Sequence, residues 1–260
     1  MKPVAVVTGG ARGIGAATVR GLAAKGWCVV AVDRCDDDPA VPYRLGSRAD
    51  LDAVVEEAGP DVVGATADVR DSEALARIVD EAEERWGGVD AAIAAAGIIA
   101  GGKAGWEVPL AVERAVIDID LGGVLALVRA SIPAMLRRPV PRRGRFLAVA
   151  SAADTKGLPM LAAYCAAKAG VVGYVRALAV ELATHGITAN AVSPGSTDTA
   201  ILDATADLYG LPTATAFATQ HHIQRLLEPE EIARALIFLA DEASSGITGA
   251  VLRVDGGLTL

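Results

Sequence analysis

The stretch Thr8–Gly15, TGGARGIG, follows the apolar run Val4–Val7 and constrains the fold more than any other feature of the chain. Glycine loses more backbone freedom on folding than any other residue, so a cluster of it marks a sharp turn or a close approach. An apolar strand, then Gly9, Gly13 and Gly15, then a helical pattern is an arrangement that seats a pyrophosphate. One glycine permits the turn, one lets the backbone reach the phosphates, and one lets the helix pack on the strand. Free N–H groups and the positive end of the helix dipole then face the anion. A glycine-rich turn without a ligand has the same spacing, and the segments that follow decide between the two.

Those segments alternate regularly. Apolar runs at Cys28–Asp33, Val62–Asp68, Val89–Gly97, Gly144–Ser151, Gly186–Gly195 and Gly249–Gly257 predict further strands, separated by helical patterns. The early runs are continuous rather than alternating, which means burial on both faces, as in a parallel sheet covered by helices. Asp71 predicts a helix N-cap and Gly87 the matching C-cap. A chain of 260 residues, 52% of them hydrophobic, suits one α/β domain. Its predicted form is a single Rossmann-like, doubly wound parallel sheet of about seven strands flanked by helices. Two segments interrupt the rhythm: the polar, proline-bearing Arg34–Arg48 and the stretch Thr197–Leu227. Long loops in compact domains usually carry function or are disordered. The second reads as a substrate lid with Ile201, Leu202, Leu208, Tyr209 and Phe217 as apolar contacts, or equally as a surface between subunits.

Charge and composition exclude other classes. A net charge of −8 argues against nucleic acid or anionic membrane as a partner. No uninterrupted run of about eighteen apolar residues is present, so no membrane span is expected. The amino terminus reads as a first strand rather than a signal peptide. Cys28, Cys35 and Cys165 form no CxxC pair, so neither a disulfide framework nor a zinc site is expected, and a reducing cytoplasm fits. His185, His221 and His222 lack ligand spacing and read as ordinary residues, so no metal is expected.

Four positions carry chemistry. Asp33 ends the second strand, where an acidic residue holds the hydroxyls of an adenosine ribose. A carboxylate there repels a 2′-phosphate and favours NAD over NADP, although Arg12 and Arg34 stand close enough in sequence to receive one. Tyr164 and Lys168, in YCAAK, share one face of a helix. A nearby ammonium favours the phenolate of a tyrosine, whose own pKa is about 10. Cys165 points away from that face and reads as packing. Ser151 ends the fifth strand, and ligand sites open at the carboxyl ends of such strands.

With these residues in place, the chain resembles the short-chain dehydrogenase/reductase family over nearly its full length. TGGARGIG, including Arg12 and Ile14, is similar to the TGxxxGIG motif of that family. The resemblance implies reversible transfer of a hydride between an alcohol or ketone and NAD. It implies Ser151, Tyr164 and Lys168 as catalytic residues and Asp68 with Val69 beside the adenine ring. It places Pro194 and Gly195, with Thr197 and Thr199, around the nicotinamide amide. The closing VDGG of Val254–Gly257 also fits. Two motifs depart from the pattern. The family's NNAG is AAAG here, leaving the backbone of Ala96 and Gly97 to line the cofactor, and Asp120 stands where the family has a catalytic asparagine. The Arg34–Arg48 insertion resembles that of the carveol dehydrogenase-like, mycofactocin-coupled branch. In that branch NAD is held without exchange and a peptide-derived redox carrier reoxidises it in place. The resemblance further implies a cytoplasmic homotetramer, and the composition of the lid points to an apolar secondary alcohol. Two alternatives stay open: an ordinary NADPH-dependent ketoreductase with exchangeable cofactor, and a non-catalytic NAD-binding scaffold.

Overall fold

A computed structural model describes residues 2–260. Its strands are β1 (Val4–Thr8), β2 (Cys28–Asp33), β3 (Val62–Thr66), β4 (Ala91–Ala94), β5 (Arg145–Val149), β6 (Thr188–Pro194) and β7 (Val251–Val254). They form one seven-stranded sheet in the order β3-β2-β1-β4-β5-β6-β7. Every neighbouring pair is parallel. Strand order reverses between β1 and β4, which opens a crevice at their carboxyl ends. Thr8, Val32 and Ala94 are in register at that edge. Several strands are shorter than the apolar runs that announced them. The residues beyond their ends, Ala67–Val69 and Ala95–Gly97 among them, leave the ladder to line the crevice.

The helices are α1 (Gly13–Ala24), α2 (Arg48–Ala58), α3 (Ser72–Trp86), α4 (Leu110–Ile117), α5 (Gly123–Arg137), α6 (Ala162–Leu182), α7 (Ala200–Leu208) and α8 (Pro229–Ala240). Alternate residues of each strand serve the two faces. Ala5, Val7, Val29 and Ile93 meet Val19 and Leu22 of α1, Leu51 of α2, and Ile232 and Leu236 of α8. Val6, Val30, Ala92 and Phe146 meet Leu75 of α3, Leu127 of α5, and Val171 and Val175 of α6. Full burial of each such side chain contributes roughly 1.5–3 kcal/mol. This two-sided burial is why the strands read as unbroken apolar runs.

Local signals set the helix ends that matter to the crevice. Asp71 caps α3 by accepting from the amides of Glu73 (3.1 Å) and Ala74 (2.9 Å), and Gly87 closes it in the left-handed region with φ 81°. Ser47 and Asp50 form a reciprocal capping box that starts α2 where the polar insertion ends. α4 runs into α5 through a wide five-residue π turn, Asp118–Gly122. Such turns are concentrated at functional sites because the extra residue re-aims a side chain. Here the turn carries Asp120, which is fully buried.

By length and composition alone, the segment Ala162–His185 is long and apolar enough to cross a membrane. Val171, Val175, Leu178 and Leu182 are packed in the core, which accounts for its apolarity within the fold.

Candidate active site

The crevice widens into a cleft of about 680 Å³ at the carboxyl edge of the sheet. Every candidate catalytic or cofactor-binding residue lines it: Gly9, Arg12, Gly13, Ile14, Gly15, Asp33, Arg34, Asp68, Val69, Ala96, Gly97, Asp120, Ser151, Tyr164, Lys168, Pro194, Gly195, Thr197 and Thr199. Of the lid residues, Ile201, Leu202, Tyr209 and Phe217 line it, whereas Leu208 packs against the cluster of Ile99, Leu161 and Ala204 instead. The glycine turn is as tight as its composition demands. Gly9 has φ +71°, and a Cβ on it would stand 2.7 Å from the amide nitrogen of Ala96. A Cβ on Gly15 would lie 2.0 Å from the carbonyl oxygen of Gly9. Asp33 is fixed beside this turn, accepting from the Ala11 amide at 3.1 Å.

Two arginines left open as phosphate partners are already engaged. Arg34 pairs with Asp38 at 2.6 Å and with Asp68 at 3.5 Å. Arg70 pairs with Asp38 at 2.8 Å and with Asp68 at 2.6 Å. Burial opposes ionisation of Asp38, but the Ala40 amide and the two guanidiniums outweigh it and hold the carboxyl below its usual range. Burial likewise opposes ionisation of Asp68, and Arg70 and Arg34 again prevail. Arg12 donates from Nη1 to the carbonyl of Arg44 at 2.8 Å.

One end of the cleft gathers Ser151, Tyr164, Lys168 and Asp120. Ser151 follows β5, and its Oγ accepts from the Ala153 amide at 3.2 Å. Lys168 lies one turn beyond Tyr164 on α6, with Nζ 5.6 Å from the centre of the tyrosine ring. Its Nζ donates to the Val149 carbonyl at 3.2 Å and lies 3.5 Å from Asp120 Oδ2. Asp120 Oδ1 accepts from the Ile98 amide at 2.8 Å, whereas Oδ2 makes no hydrogen bond. Burial pushes the Tyr164 phenol above its ordinary pKa; Lys168 pulls it down, Asp120 pushes it up and Ser151 pulls it down. Burial also raises the Asp120 carboxyl, against the opposing pull of Lys168 and the Ile98 amide. For Lys168, burial disfavours the charge, but Asp120 and Tyr164 hold the ammonium above its ordinary value. The arrangement is a neutral phenol poised between an ammonium that favours its ionisation and a carboxyl group that opposes it.

The Arg34–Arg48 segment forms a strap across the cleft mouth. At its outer end Gly46 packs against Ala11 and Asp33. At its inner end Tyr43 Oη accepts from the Ile99 amide at 2.9 Å. The ring lies 5.8 Å from the Arg12 guanidinium and packs against the cluster of Ile99, Leu161 and Ala204. Burial is the largest influence on the Tyr43 phenol, whose pKa is pushed up to about 12. Sequence reasoning did not single out Tyr43; its one signal is a lone aromatic in a polar stretch. Nor did it single out Leu158 and Leu161, which line the cleft after Ser151, or His221, treated below.

Residues 9–259 match the short-chain alcohol dehydrogenase family model described as enoyl-(acyl carrier protein) reductase. The chain belongs to the short-chain dehydrogenase/reductase family. It is 37% identical over 258 residues to cis-4-hydroxycyclohexanecarboxylate dehydrogenase of Sinomonas cyclohexanicum, covering 98% of this chain and 96% of that one. It is 35% identical to (−)-trans-carveol dehydrogenase of Rhodococcus erythropolis, over 99% of this chain and 97% of the other. Its fold is similar to the crystal structure of carveol dehydrogenase from Mycobacterium avium in complex with NAD. The TM-score is 0.91 and the identity 32%, covering 98% of this chain and 97% of that one. The family is therefore shown by sequence along nearly the whole chain, including the AAAG and Asp120 positions at which this member departs from the usual motifs.

Proposed function

We propose that the protein is an NAD-dependent dehydrogenase that oxidises a cyclic, largely apolar secondary alcohol to a ketone, reversibly. The observation that carries this is the convergence of Ser151, Tyr164 and Lys168 at one end of a cleft whose other end holds Asp33 and the glycine turn. The residues fit NAD. The Gly9–Gly15 backbone leaves no room for side chains where a pyrophosphate would lie, and Asp33 faces the ribose end. Arg34, the arginine next to Asp33 in sequence, is committed to Asp38 and Asp68 rather than left for a 2′-phosphate. The sheltered backbone of Ala96 and Gly97, with Val69, Pro194, Gly195, Thr197 and Thr199, would line the remainder of the cofactor. When bound, NAD supplies the hydride acceptor.

The chain's own residues handle the proton. Ser151 donates a hydrogen bond to the substrate oxygen and orients it. Tyr164 Oη accepts the hydroxyl proton as the carbonyl forms and returns it in the reverse direction. Lys168 favours the phenolate and holds the nicotinamide ribose, while Asp120 keeps Lys168 charged and in place. Leu158, Leu161, Ile201, Leu202 and Phe217 give the substrate end an apolar wall. Both named dehydrogenase relatives act on ring-borne alcohols, which supports the same substrate class here. The strap supports a tightly held NAD reoxidised in place by mycofactocin, a peptide-derived carrier. Exposed Trp106, Val180 and Phe238 near α4, on α6 and on α8 support assembly as a homotetramer, and we place it in the cytoplasm.

The test is direct. Mass spectrometry of the small molecules released by denaturing the protein should find NAD or NADH. A panel of cyclic secondary alcohols should then reduce an artificial electron acceptor in its presence. Absence of both results would overturn the proposal.

Two variants probe finer points. Asp33→Ala should narrow the preference for NAD over NADP by roughly 10–100-fold, the usual worth of a hydrogen bond to a charged group. Binding of both nucleotides to stripped protein measures this, and a wild-type preference for NADP would reject the assignment. Asp120→Asn should move the alkaline rise of the pH–rate profile to lower pH. Asp120 raises the Tyr164 pKa; without its charge Lys168 acts unopposed, and the phenol ionises earlier. Superimposable profiles would show that Asp120 has no hold on Tyr164.

A further inference from the structure

His221 reads as unremarkable in the sequence, yet it is fully buried at the nicotinamide end of the cleft. Both ring nitrogens are used. Nε2 accepts from the Ser196 amide at 2.9 Å, and Nδ1 lies 2.5 Å from the carbonyl oxygen of Arg225. An amide N–H can only donate and a carbonyl can only accept, so these partners assign a neutral ring with its proton on Nδ1. Ser196 directly follows the Pro194–Gly195 turn and precedes Thr197. On the other side, Leu227 donates to the Ser196 carbonyl at 3.0 Å, and the Asp198 amide donates to Leu227 at 2.8 Å. The ring therefore ties the turn that leaves β6 to the chain returning from the lid segment. There is no slack at this junction: a Cβ on Gly195 would lie 2.7 Å from His221 Nε2 and 2.8 Å from the Asp255 carbonyl.

We propose that His221 is a positioning residue that fixes the Gly195–Thr199 turn against bound nicotinamide. The inference rests on the NAD reading above. A side chain with no acceptor at this place would leave the part-buried Ser196 amide without a partner. The charged groups packed around the junction are engaged elsewhere. The Asp255 carboxylate accepts from the Gly257 amide and the Thr259 hydroxyl. Arg225 pairs with Glu231 at 2.6 Å, whose backbone partner is the Glu228 amide at 2.9 Å. Arg253 pairs with Asp154 at 3.3 Å, and His222 packs over Gly257. The ring is thus left with two backbone partners, the Ser196 amide and the Arg225 carbonyl.

The test measures the rate at which bound NADH leaves the protein, by its fluorescence, at one neutral pH. His221→Ala should release NADH about tenfold faster than the wild-type protein, the equivalent of one net hydrogen bond. His221→Gln keeps an acceptor for Ser196 and a donor for Arg225, so its release should stay close to the wild-type rate. The proposal is overturned if His221→Ala matches the wild type, or if His221→Gln releases NADH as fast as His221→Ala. Should the alanine variant fail to fold, His221→Leu, which fills the space but offers no acceptor, takes its place. Failure of the wild-type protein to bind NADH would instead reject the cofactor reading itself, before any variant is compared.

Discussion

Replacing Tyr164 with phenylalanine is expected to lower turnover by about 10²–10⁴-fold, the usual contribution of a positioned proton acceptor. The ring would remain packed against the cluster of Ile99 and Leu161, and Lys168 would keep its contacts with Val149 and Asp120. NAD affinity should therefore be close to unchanged, which separates a lost proton acceptor from a collapsed site. The resting phenol is neutral because burial outweighs the field of Lys168. Turnover in the wild-type protein should accordingly rise with pH in the oxidative direction, and the variant should lose that rise. Steady-state rates with a cyclic alcohol and nucleotide binding by fluorescence check both arms. Near-normal turnover in Tyr164→Phe would mean that another group takes the proton.

What the sequence reveals and what it hides divide along the range of the interactions involved. The β1–glycine turn–α1 unit is legible because turn, anion cradle and helix start all lie within one short stretch. Tyr164 and Lys168 are legible because helical geometry alone puts them on one face. Asp120 could be placed only by resemblance, since the π turn that buries it arises where α4 and α5 meet α6, not from any local pattern. Arg34 illustrates the opposite error. Beside Asp33 in sequence it looks like a phosphate ligand, but the partner that commits it, Asp38, is shared with Arg70, 32 residues from that aspartate. His221 has no motif at all; its function follows from an amide 25 residues away. Tyr43 is similar, since its hydroxyl meets an amide 56 residues distant. Local physics thus writes the glycine turn and the proposed catalytic pair into the sequence, whereas the contacts that lock and cover them exist only once the sheet has brought distant loops together.

The cover has the second large expected effect. Replacing residues 34–46 by a tight turn, so that the Ser47–Asp50 cap of α2 is retained, should convert a protein that keeps its NAD into one that exchanges it. The strap meets the glycine turn through Gly46 and Arg12, and it meets the far wall through Tyr43 and Ile99. A nucleotide lying between Asp33 and Tyr164 would therefore pass beneath it, and release would require those contacts to open. Such a barrier acts mainly on the dissociation rate. Retention through purification in dilute buffer requires roughly nanomolar binding, about −12 kcal/mol. Loss of the Arg12–Arg44 and Ile99–Tyr43 hydrogen bonds, at about 1 kcal/mol each, with the apolar packing of the Tyr43 ring, should speed release by on the order of 10²-fold or more. The wild-type protein should yield bound nucleotide on denaturation and turn over little with added NAD alone. An artificial acceptor that oxidises the nucleotide in place should restore its turnover. The shortened variant should purify empty and cycle freely with added NAD. Tyr43→Phe, which removes only one hydrogen bond, should fall between the two. A wild-type protein that purifies empty and already cycles freely would reject in-place reoxidation by mycofactocin. The strap would then act only as a wall beside the adenosine, and Tyr43 would be a packing residue.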